Sequence, residues 1–317
     1  MGKIVALGEV VADIYRDESP VEVEMPFTAR PGGAPANVAV AAARLGEEAA
    51  FIGSVGKDLF GDFILRALEA EGVITSGVRR CEPPTRTSLA FVEIDEDGDR
   101  SFTFYRSDPA ADELLSPEDV SEELLSGTSF VNFGSIPLIE DPVRSAIREA
   151  AKLARDQNLP VAFDVNLREH LWSSVEEARK VVDPLFDDSY VVKLSDDELS
   201  PLLGTEEAEE AAQKLLERGV SVVLVSMGPK GAFYATREFT GSVPAFEVEA
   251  VDATGAGDAF LAAALVHLSE DSGISLDEER VREAARRGAA GALACTDYGA
   301  MGALPTKDEL ERFIAGG

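Results

Sequence analysis

Cysteine and histidine are scarce in this chain of 317 residues, which contains two of each. Cys81 and Cys295 are too few to build a disulfide framework. Neither belongs to a CxxC pair or a Cys/His cluster, which excludes the usual structural zinc motifs. The chain also lacks an uninterrupted apolar run of about 18 residues, and it opens on a strand-like segment without secretory features. These absences predict a cytoplasmic protein with no membrane span.

Basic charge is also in short supply. Lys and Arg total 29 against 59 Asp and Glu, which gives a formal net charge of -30. Such a field repels nucleic acid and anionic membranes, so neither is expected as a partner. Only eight of the basic residues are lysine. An acidic, lysine-poor surface suits a salty cytoplasm because salt screens the self-repulsion, and we hold this as a hypothesis.

The hydrophobic residues, 45% of the chain, suffice for a sizeable core. The opening run KIVALGEVVADI predicts one strand, and PANVAVAAARLG at 35–46 predicts a helix that starts near Pro35 and ends at Gly46. This alternation continues to the strand candidates AAFIGSVG, SFVNFGS, PVAFDVN, SYVVKLS, VSVVLVSMG and GSVPAFEVEAVD. It favours an α/β fold with a mainly parallel sheet.

Two stretches break the alternation. Residues 14–30 lie between the first strand and the first helix, and residues 85–106 form two alternating runs around DEDGD, typical of a hairpin. Together they predict a small β-layer outside the main sheet.

The segment VDATGAGDAF at 251–260 carries the strongest chemical signal. Gly255 and Gly257 permit a tight turn before an apolar helix, whose free N-terminal amides form an anion site. Asp258 would sit beside that anion and could take a proton from an attacking hydroxyl, although it could equally cap the helix. A dinucleotide fingerprint fails because Phe260 stands where a small residue is needed, and no P-loop motif occurs.

A second glycine-rich segment, RPGGAPANVAVAAARLG, covers residues 30–46. Gly32 and Gly33 let a ligand approach the backbone, and Asn37 offers both a donor and an acceptor to a sugar hydroxyl. The simpler interpretation is a tight turn that leads into a helix of small, packing residues.

These two strings together resemble the signatures of the ribokinase-like (PfkB) carbohydrate kinase family, and the resemblance spans essentially the whole chain. It implies a three-layer α/β/α core with a mainly parallel central sheet and a small β-sheet lid. The expected core is 1–12, 32–84 and 108–317, and the expected lid is 13–31 and 85–107. It also implies ATP with Mg²⁺, a small-molecule sugar as acceptor, and a homodimer formed through the lid.

Individual site residues follow from the same resemblance. Asp258 resembles the family's catalytic base, and Gly255, Ala256 and Gly257 resemble its anion hole. The implied sugar-binding residues are Asp13, Gly32, Gly33, Asn37, Arg106 and Arg168. The implied nucleotide-binding residues are Lys193, Glu198, Ser226, Gly228, Lys230 and Gly231.

Two metal sites are implied as well. Glu198 would organise Mg²⁺ through water, although Ser195 stands where many members have Asn. Asp252, Thr254, Asp297 and Gly299 resemble a monovalent-cation site, which makes K⁺ a further candidate.

The segments FTFYRSDPAADELL and FDVNLREHLW look like those of the fructokinase branch and, next to it, the 2-keto-3-deoxygluconate kinases. An arginine fork suits hydroxyls and suits a carboxylate better, so both substrates are chemically reasonable. We expect the 6-hydroxyl of fructose as acceptor, with the keto acid as the alternative. A ribokinase, a nucleoside kinase and a non-catalytic sugar sensor come next; a sensor is expected to have lost Asp258 or the GAGD turn, and neither is lost.

Overall fold

A nine-stranded sheet forms the centre of the protein, described here by a computed structural model of residues 2–16, 23–94, 100–269 and 276–316. Its strands, in spatial order, are β13 (Thr240–Val243), β12 (Ala232–Ala235), β11 (Val222–Ser226), β10 (Val191–Ser195), β9 (Val161–Asp164), β8 (Phe130–Gly134), β1 (Lys3–Leu7), β4 (Glu48–Gly56) and β5 (Ile74–Cys81). The strands from β11 to β5 are parallel, and β12 and β13 are added antiparallel. The predicted α/β class is confirmed.

Helices cover both faces of this sheet because its strands are apolar on both sides. In β1, Ile4 and Ala6 join one hydrophobic cluster while Val5 and Leu7 join the other, as the two-residue period of a strand requires. The helices are α1 (Ala34–Arg44), α2 (Leu59–Ala70), α3 (Glu122–Leu125), α4 (Val143–Asp156), α5 (Val175–Phe186), α6 (Asp196–Leu203), α7 (Ala208–Glu217), α8 (Ala256–Ser269), α9 (Glu278–Arg286), α10 (Ala289–Ala294), α11 (Ala300–Ala303) and α12 (Lys307–Gly316). Helix α8 is buried along almost its whole length, which fixes the position of its N-terminus.

A separate four-stranded sheet, which we call the lid, contains the two segments that broke the sequence alternation. Its order is β3 (Phe27–Gly32), β2 (Val11–Arg16), β6 (Leu89–Ile94) and β7 (Arg100–Tyr105). Strands β6 and β7 are antiparallel, as a hairpin requires, while the DEDGD turn predicted between them lies outside the described residues. The predicted domain boundaries stay a prediction.

Two strand predictions were wrong. The opening run forms two strands in different sheets, because Gly8, with φ of 146°, breaks it between β1 and β2. Asp13, which falls near the end of the single strand predicted for the opening run, therefore lies inside a lid strand instead. The candidate GSVPAFEVEAVD forms a strand only to Val243, since Pro244 has no amide to donate to a neighbour. Within the described ranges, no helix is long and apolar enough to cross a membrane.

Candidate active site

Asp258 lies in the first turn of α8, where a tight turn delivers the chain to the helix. Gly255 has φ of 80°, and a β-carbon there would lie 3.1 Å from the Ala300 β-carbon. The Asp258 side chain is buried and accepts a hydrogen bond from Asn37 Nδ2 at 2.7 Å. The two glycine-rich signatures, more than 200 residues apart, thus meet in one hydrogen bond. A helix cap needs no such distant partner, so the geometry favours a functional carboxylate.

Burial raises the pKa of the Asp258 carboxyl to about 6, with help from the negative charge of Asp164. Asn37, Lys193 and Arg168 oppose this rise. At neutral pH the group is therefore mostly ionised, yet it stays a stronger proton acceptor than an exposed aspartate.

A buried ion pair lies beside the glycine turn. Lys193 on β10 and Asp164 at the end of β9 are register partners, and Lys193 Nζ lies 2.9 and 3.2 Å from the two Asp164 carboxylate oxygens. A β-carbon on Gly257 would approach Lys193 Nζ to 2.8 Å, so a side chain there would displace this ammonium group. Burial alone would lower the pKa of Lys193, but Asp164 and Glu198 outweigh it and raise the pKa above its usual value. The turn therefore has a permanent positive charge next to it.

The predicted anion-hole amides are only partly free in this structure. The Ala256 amide donates to the Ala253 carbonyl at 3.2 Å, so it must change partner to hold a phosphate. Asp164 was missed from the sequence, although its position as an acid that ends an apolar strand, in FDVN, was a usable signal.

Four of the predicted sugar-binding residues lie at the junction of lid and core: Asp13, Gly32, Gly33 and Asn37. A β-carbon on Gly32 would lie 2.1 Å from Asp13 Oδ2, and one on Gly33, with φ of 107°, would lie 2.6 Å from the Glu9 carbonyl oxygen. Asn37 Oδ1 is buried, and no partner for it is found within the described residues. Burial raises the pKa of Asp13 to about 7, with Asp252 and Asp258 adding to the effect.

Glu9 is a buried carboxyl that was not predicted as a site residue. Burial raises its pKa to about 8, opposed by its own backbone amide, while Asp112 and Asp258 raise it further and the Ala34 amide lowers it. Its Oε2 atom is buried and has no hydrogen-bond partner in the part of the chain that is described. With a pKa of about 8, Glu9 is mostly protonated at pH 7 and can act as a hydrogen-bond donor.

The two predicted arginines differ in their surroundings. Arg106 packs over the Phe104 ring at 4.7 Å, with ion-pair contacts of 3.2 Å to Asp112 and 3.5 Å to Glu113. The buried Asp112, which was also not predicted as a site residue, accepts a hydrogen bond from Ser88. Arg168 is exposed, and its positive charge opposes part of the burial-driven rise in the pKa of Asp258.

The predicted nucleotide side lies at the neighbouring strand ends. Glu198 is buried and accepts hydrogen bonds from the backbone amides of Leu167 and Ser195, the latter at 2.7 Å. Ser226 ends β11 with a 3.3 Å bond to the Leu194 carbonyl. The following residues, Gly228 to Lys230, form a short 3₁₀ turn in which Lys230 is exposed.

Gly231, which follows this turn, is required by packing. Its φ is 98°, and a β-carbon there would lie 2.0 Å from the Val243 carbonyl oxygen. The β11–β12 connection therefore requires glycine at this position, independently of any contact with a nucleotide.

The predicted monovalent-cation residues are brought together only in part. Asp252 accepts hydrogen bonds from the Thr254 amide at 2.6 Å and the Gly299 amide at 2.9 Å. Asp297 is exposed and accepts from the Tyr298 amide at 2.7 Å. Across the described ranges, no group of three or more His, Cys, Asp or Glu side chains is arranged to hold a metal ion. A cation here would rely on backbone carbonyls, phosphate oxygens or water.

Comparison with known proteins agrees with this geometry. The model of the pfkB family carbohydrate kinases matches residues 1–307. The chain is 41% identical over 317 residues to probable fructokinase-4 of Arabidopsis thaliana, covering 99% of this chain and 97% of the plant protein. It is also 41% identical over 320 residues to fructokinase-2 of Solanum lycopersicum, covering 100% and 97%.

Solved structures are also similar over nearly the whole chain. An ATP-bound fructokinase from Xylella fastidiosa superposes with a TM-score of 0.88 at 33% identity, covering 99% of this chain and 98% of that one. A Vibrio cholerae O395 fructokinase double mutant with fructose, ADP and potassium gives 0.87 at 36% identity, covering 99% and 98%. An aminoimidazole riboside kinase from Salmonella enterica gives 0.84 at 32%, covering 99% of each chain. These similarities confirm the predicted ribokinase-like fold.

Proposed function

The chain belongs to the pfkB family of carbohydrate kinases, and on that premise we propose that it transfers the γ-phosphoryl group of ATP to the 6-hydroxyl of fructose. One observation carries the proposal at the level of chemistry. The buried Asp258 carboxylate is held by Asn37 at 2.7 Å beside a glycine turn that has the Lys193 ammonium against it. A base, an anion site and a cation thus lie next to one another, as phosphoryl transfer to a hydroxyl requires. The relatives named for fructose favour this sugar over the keto acid.

Asp258 is the proposed general base. Its carboxylate takes the proton of the 6-hydroxyl as that oxygen attacks the γ-phosphorus and the bond to the β-phosphate oxygen of ATP breaks. The amide of Gly257, the Ala256 amide once released from Ala253, and Lys193 stabilise the negative charge on the transferred group. Asp164 holds Lys193 in place at 2.9 Å until phosphate competes for it.

The sugar is proposed to bind between the lid and the core. Asp13 and Asn37 bind its hydroxyls, and the small residues Gly32 and Gly33 leave space for it. Arg106, oriented by Asp112 and Phe104, and Arg168 complete the site from the two flanking segments. Closure of the lid would exclude water and so limit hydrolysis of ATP.

The nucleotide is proposed to lie over the ends of β10 and β11, near the 3₁₀ turn at 228–230. Glu198 fits a water-mediated role toward Mg²⁺ because it is buried and already anchored by two backbone amides. A divalent cation bound with ATP would screen the phosphate charges. K⁺ would bind near Asp252 through backbone carbonyls. Because ATP is an intracellular metabolite, we place the enzyme in the cytoplasm.

A homodimer formed through the lid is the proposed assembly. Phe27, Phe91 and Tyr105 form an aromatic cluster on one lid face, with ring centroids 5.4 and 4.8 Å apart, and Tyr105 is 62% exposed. A cavity of about 460 Å³ lies beside it, next to the start of α2. Tyr105→Glu should give monomers in sedimentation equilibrium, whereas Ile74→Glu, an exposed apolar position on β5, should not. A Tyr105→Glu dimer would contradict this assembly.

The function is tested by ATP-to-ADP turnover with Mg²⁺ and K⁺ on four acceptors: fructose, 2-keto-3-deoxygluconate, ribose and aminoimidazole riboside. We expect strong selectivity for fructose, and NMR of the product should show phosphate on O6. Preference for the keto acid would make Arg106 and Arg168 a carboxylate clamp instead. Preference for a riboside, or no turnover with any acceptor, would overturn the proposal.

A further inference from the structure

Arg30 joins the lid to a core loop, and none of the roles proposed above explains this contact. Its Nη1 donates to the Tyr298 carbonyl at 3.1 Å, and its guanidinium lies 5.8 Å from the centre of the Tyr15 ring. A β-carbon on Gly299 would lie 2.6 Å from Arg30 Cδ. The arginine therefore lies directly on the backbone that precedes α11.

The other side of the same loop supports the phosphate-binding turn. The Gly299 amide donates to Asp252 Oδ2 at 2.9 Å, and Asp252 Oδ1 accepts from the Thr254 amide at 2.6 Å. The next residue, Ala300, packs against Gly255: a β-carbon on Gly255 would lie 3.1 Å from the Ala300 β-carbon. A shift of this loop must therefore move or loosen the turn in front of Asp258.

The lid end of the connection is equally direct. Arg30 on β3 is the register partner of Asp13 on β2, and Gly32, two residues further on, packs against the Asp13 carboxylate. A sugar that orders Asp13 and the glycine pair also orders the backbone that carries Arg30. The contacts run without interruption from the sugar-binding strands to the glycine turn.

We propose that Arg30 is a positioning residue that couples sugar binding to the phosphate-binding turn, through the Tyr298–Gly299 backbone and the Asp252 carboxylate. With Arg30 in place, an ordered lid and an ordered turn stabilise each other, so each substrate binds better when the other is present. The coupling rests on the proposed sugar kinase function, while the physical connection exists without ligand.

The first test needs no ligand. Hydrogen exchange at the Thr254 and Gly299 amides should be at least about 10-fold faster in Arg30→Ala, since the loop loses its lid contact. Arg16→Ala is the matched control, because Arg16 is an exposed arginine on the same sheet that takes no part in this connection. Equal exchange in Arg30→Ala and Arg16→Ala would overturn the proposal, even if the enzyme acts on a sugar other than fructose.

The second test measures the coupling itself. Calorimetry gives the Kd of the accepted sugar with and without a non-hydrolysable ATP analogue and Mg²⁺. We expect the analogue to tighten sugar binding about 10-fold in the native protein and in Arg16→Ala, but less than about 2-fold in Arg30→Ala. Arg30→Lys should restore part of the effect because it keeps an aliphatic stem and a donor. An unchanged ratio in a folded Arg30→Ala protein would overturn the proposal, while failure to bind any sugar would count against the proposed function instead.

Discussion

Asp258 has to be ionised to act as a base, although it is buried and other acids surround it. Asp13, Glu9 and Asp258 all have pKa values raised by burial, and each also feels the charge of another acid. Asn37, Lys193 and Arg168 all lower the pKa of Asp258, whose value of about 6 is the lowest of the three. The site thus combines two carboxyls that retain protons near neutral pH, Glu9 and Asp13, with the Asp258 carboxylate, which can accept a proton.

We expect Asp258→Asn to lower turnover by about 10²- to 10⁴-fold, the usual contribution of a general base, while ATP binding stays within a few-fold. The amide keeps the shape and the Asn37 contact but cannot accept the proton. In the native enzyme, kcat/KM should fall as the pH drops below about 6, because the carboxyl becomes protonated. Steady-state kinetics from acid to neutral pH would check both expectations. Turnover by Asp258→Asn close to that of the native enzyme would refute the assignment.

Glu9 should make the native protein less stable as the pH rises. Burial raises its pKa from 4.5 to about 8, so between these values the unfolded chain has released a proton that the folded chain still holds. The free energy of unfolding must therefore fall across this interval and level off above it. Glu9→Gln cannot titrate, and relative to it the native protein should lose on the order of 2–4 kcal/mol from pH 5 to 8.

Urea unfolding at several pH values measures this difference. Glu122→Gln, at an exposed position, is the control and should leave the pH dependence of the native protein unchanged. If the curves for Glu9→Gln and the native protein run parallel, Glu9 is already ionised in the folded state and the argument for a neutral carboxyl fails.

At the scale of elements, the turn before α1 depends on Gly33 for two separate reasons. Its φ of 107° disfavours any side chain, and a β-carbon would lie 2.6 Å from the Glu9 carbonyl oxygen. Gly46, after α1, has a similar φ of 96° but only Lys307 Cδ nearby, at 3.9 Å. A side chain at Gly46 would therefore introduce backbone strain alone, whereas one at Gly33 would add a steric clash at the site.

We expect Gly33→Ala to raise the KM for fructose by on the order of 10- to 100-fold, because the displaced turn carries Asn37 with it. Gly46→Ala should lose stability from the backbone strain alone, on the order of 1 kcal/mol, and keep the native KM. Kinetics together with thermal unfolding distinguish the two effects. Equal KM values in the two variants would show that the Gly33 turn does not position the sugar.

The elements that could be predicted are those whose signals are contiguous in the sequence. The GAGD turn and the GGAPAN segment each contain their own glycines and polar groups, so the candidate site residues near Asp258 could be predicted from the sequence. The Lys193–Asp164 pair and the Arg30 contact depend on strand register and on loops that meet only after folding. The break at Gly8 escaped prediction for a related reason, since both halves of the opening run are apolar and only the backbone angle separates them.

At the scale of the whole molecule, charge is the dominant feature. A net charge of -30 produces repulsion over the entire surface, which opposes the compact state. Ion pairs such as Arg218 with Asp183 and Asp187 offset this locally. Exposed pairs of this kind contribute about 0–1 kcal/mol each. Salt therefore lowers the stability less by screening these pairs than it raises the stability by screening the overall repulsion.

We therefore expect KCl to stabilise the protein, with Tm rising by several degrees between about 0.1 and 2 M. The Debye length falls from about 10 Å at 0.1 M to about 3 Å at 1 M, so most of the gain should come below 1 M. A variant with Glu206→Lys and Glu209→Lys, two exposed positions on the surface, should need less salt for the same Tm. If Tm stays level or falls in KCl, repulsion does not limit stability, and the acidic surface needs an explanation other than a salty cytoplasm.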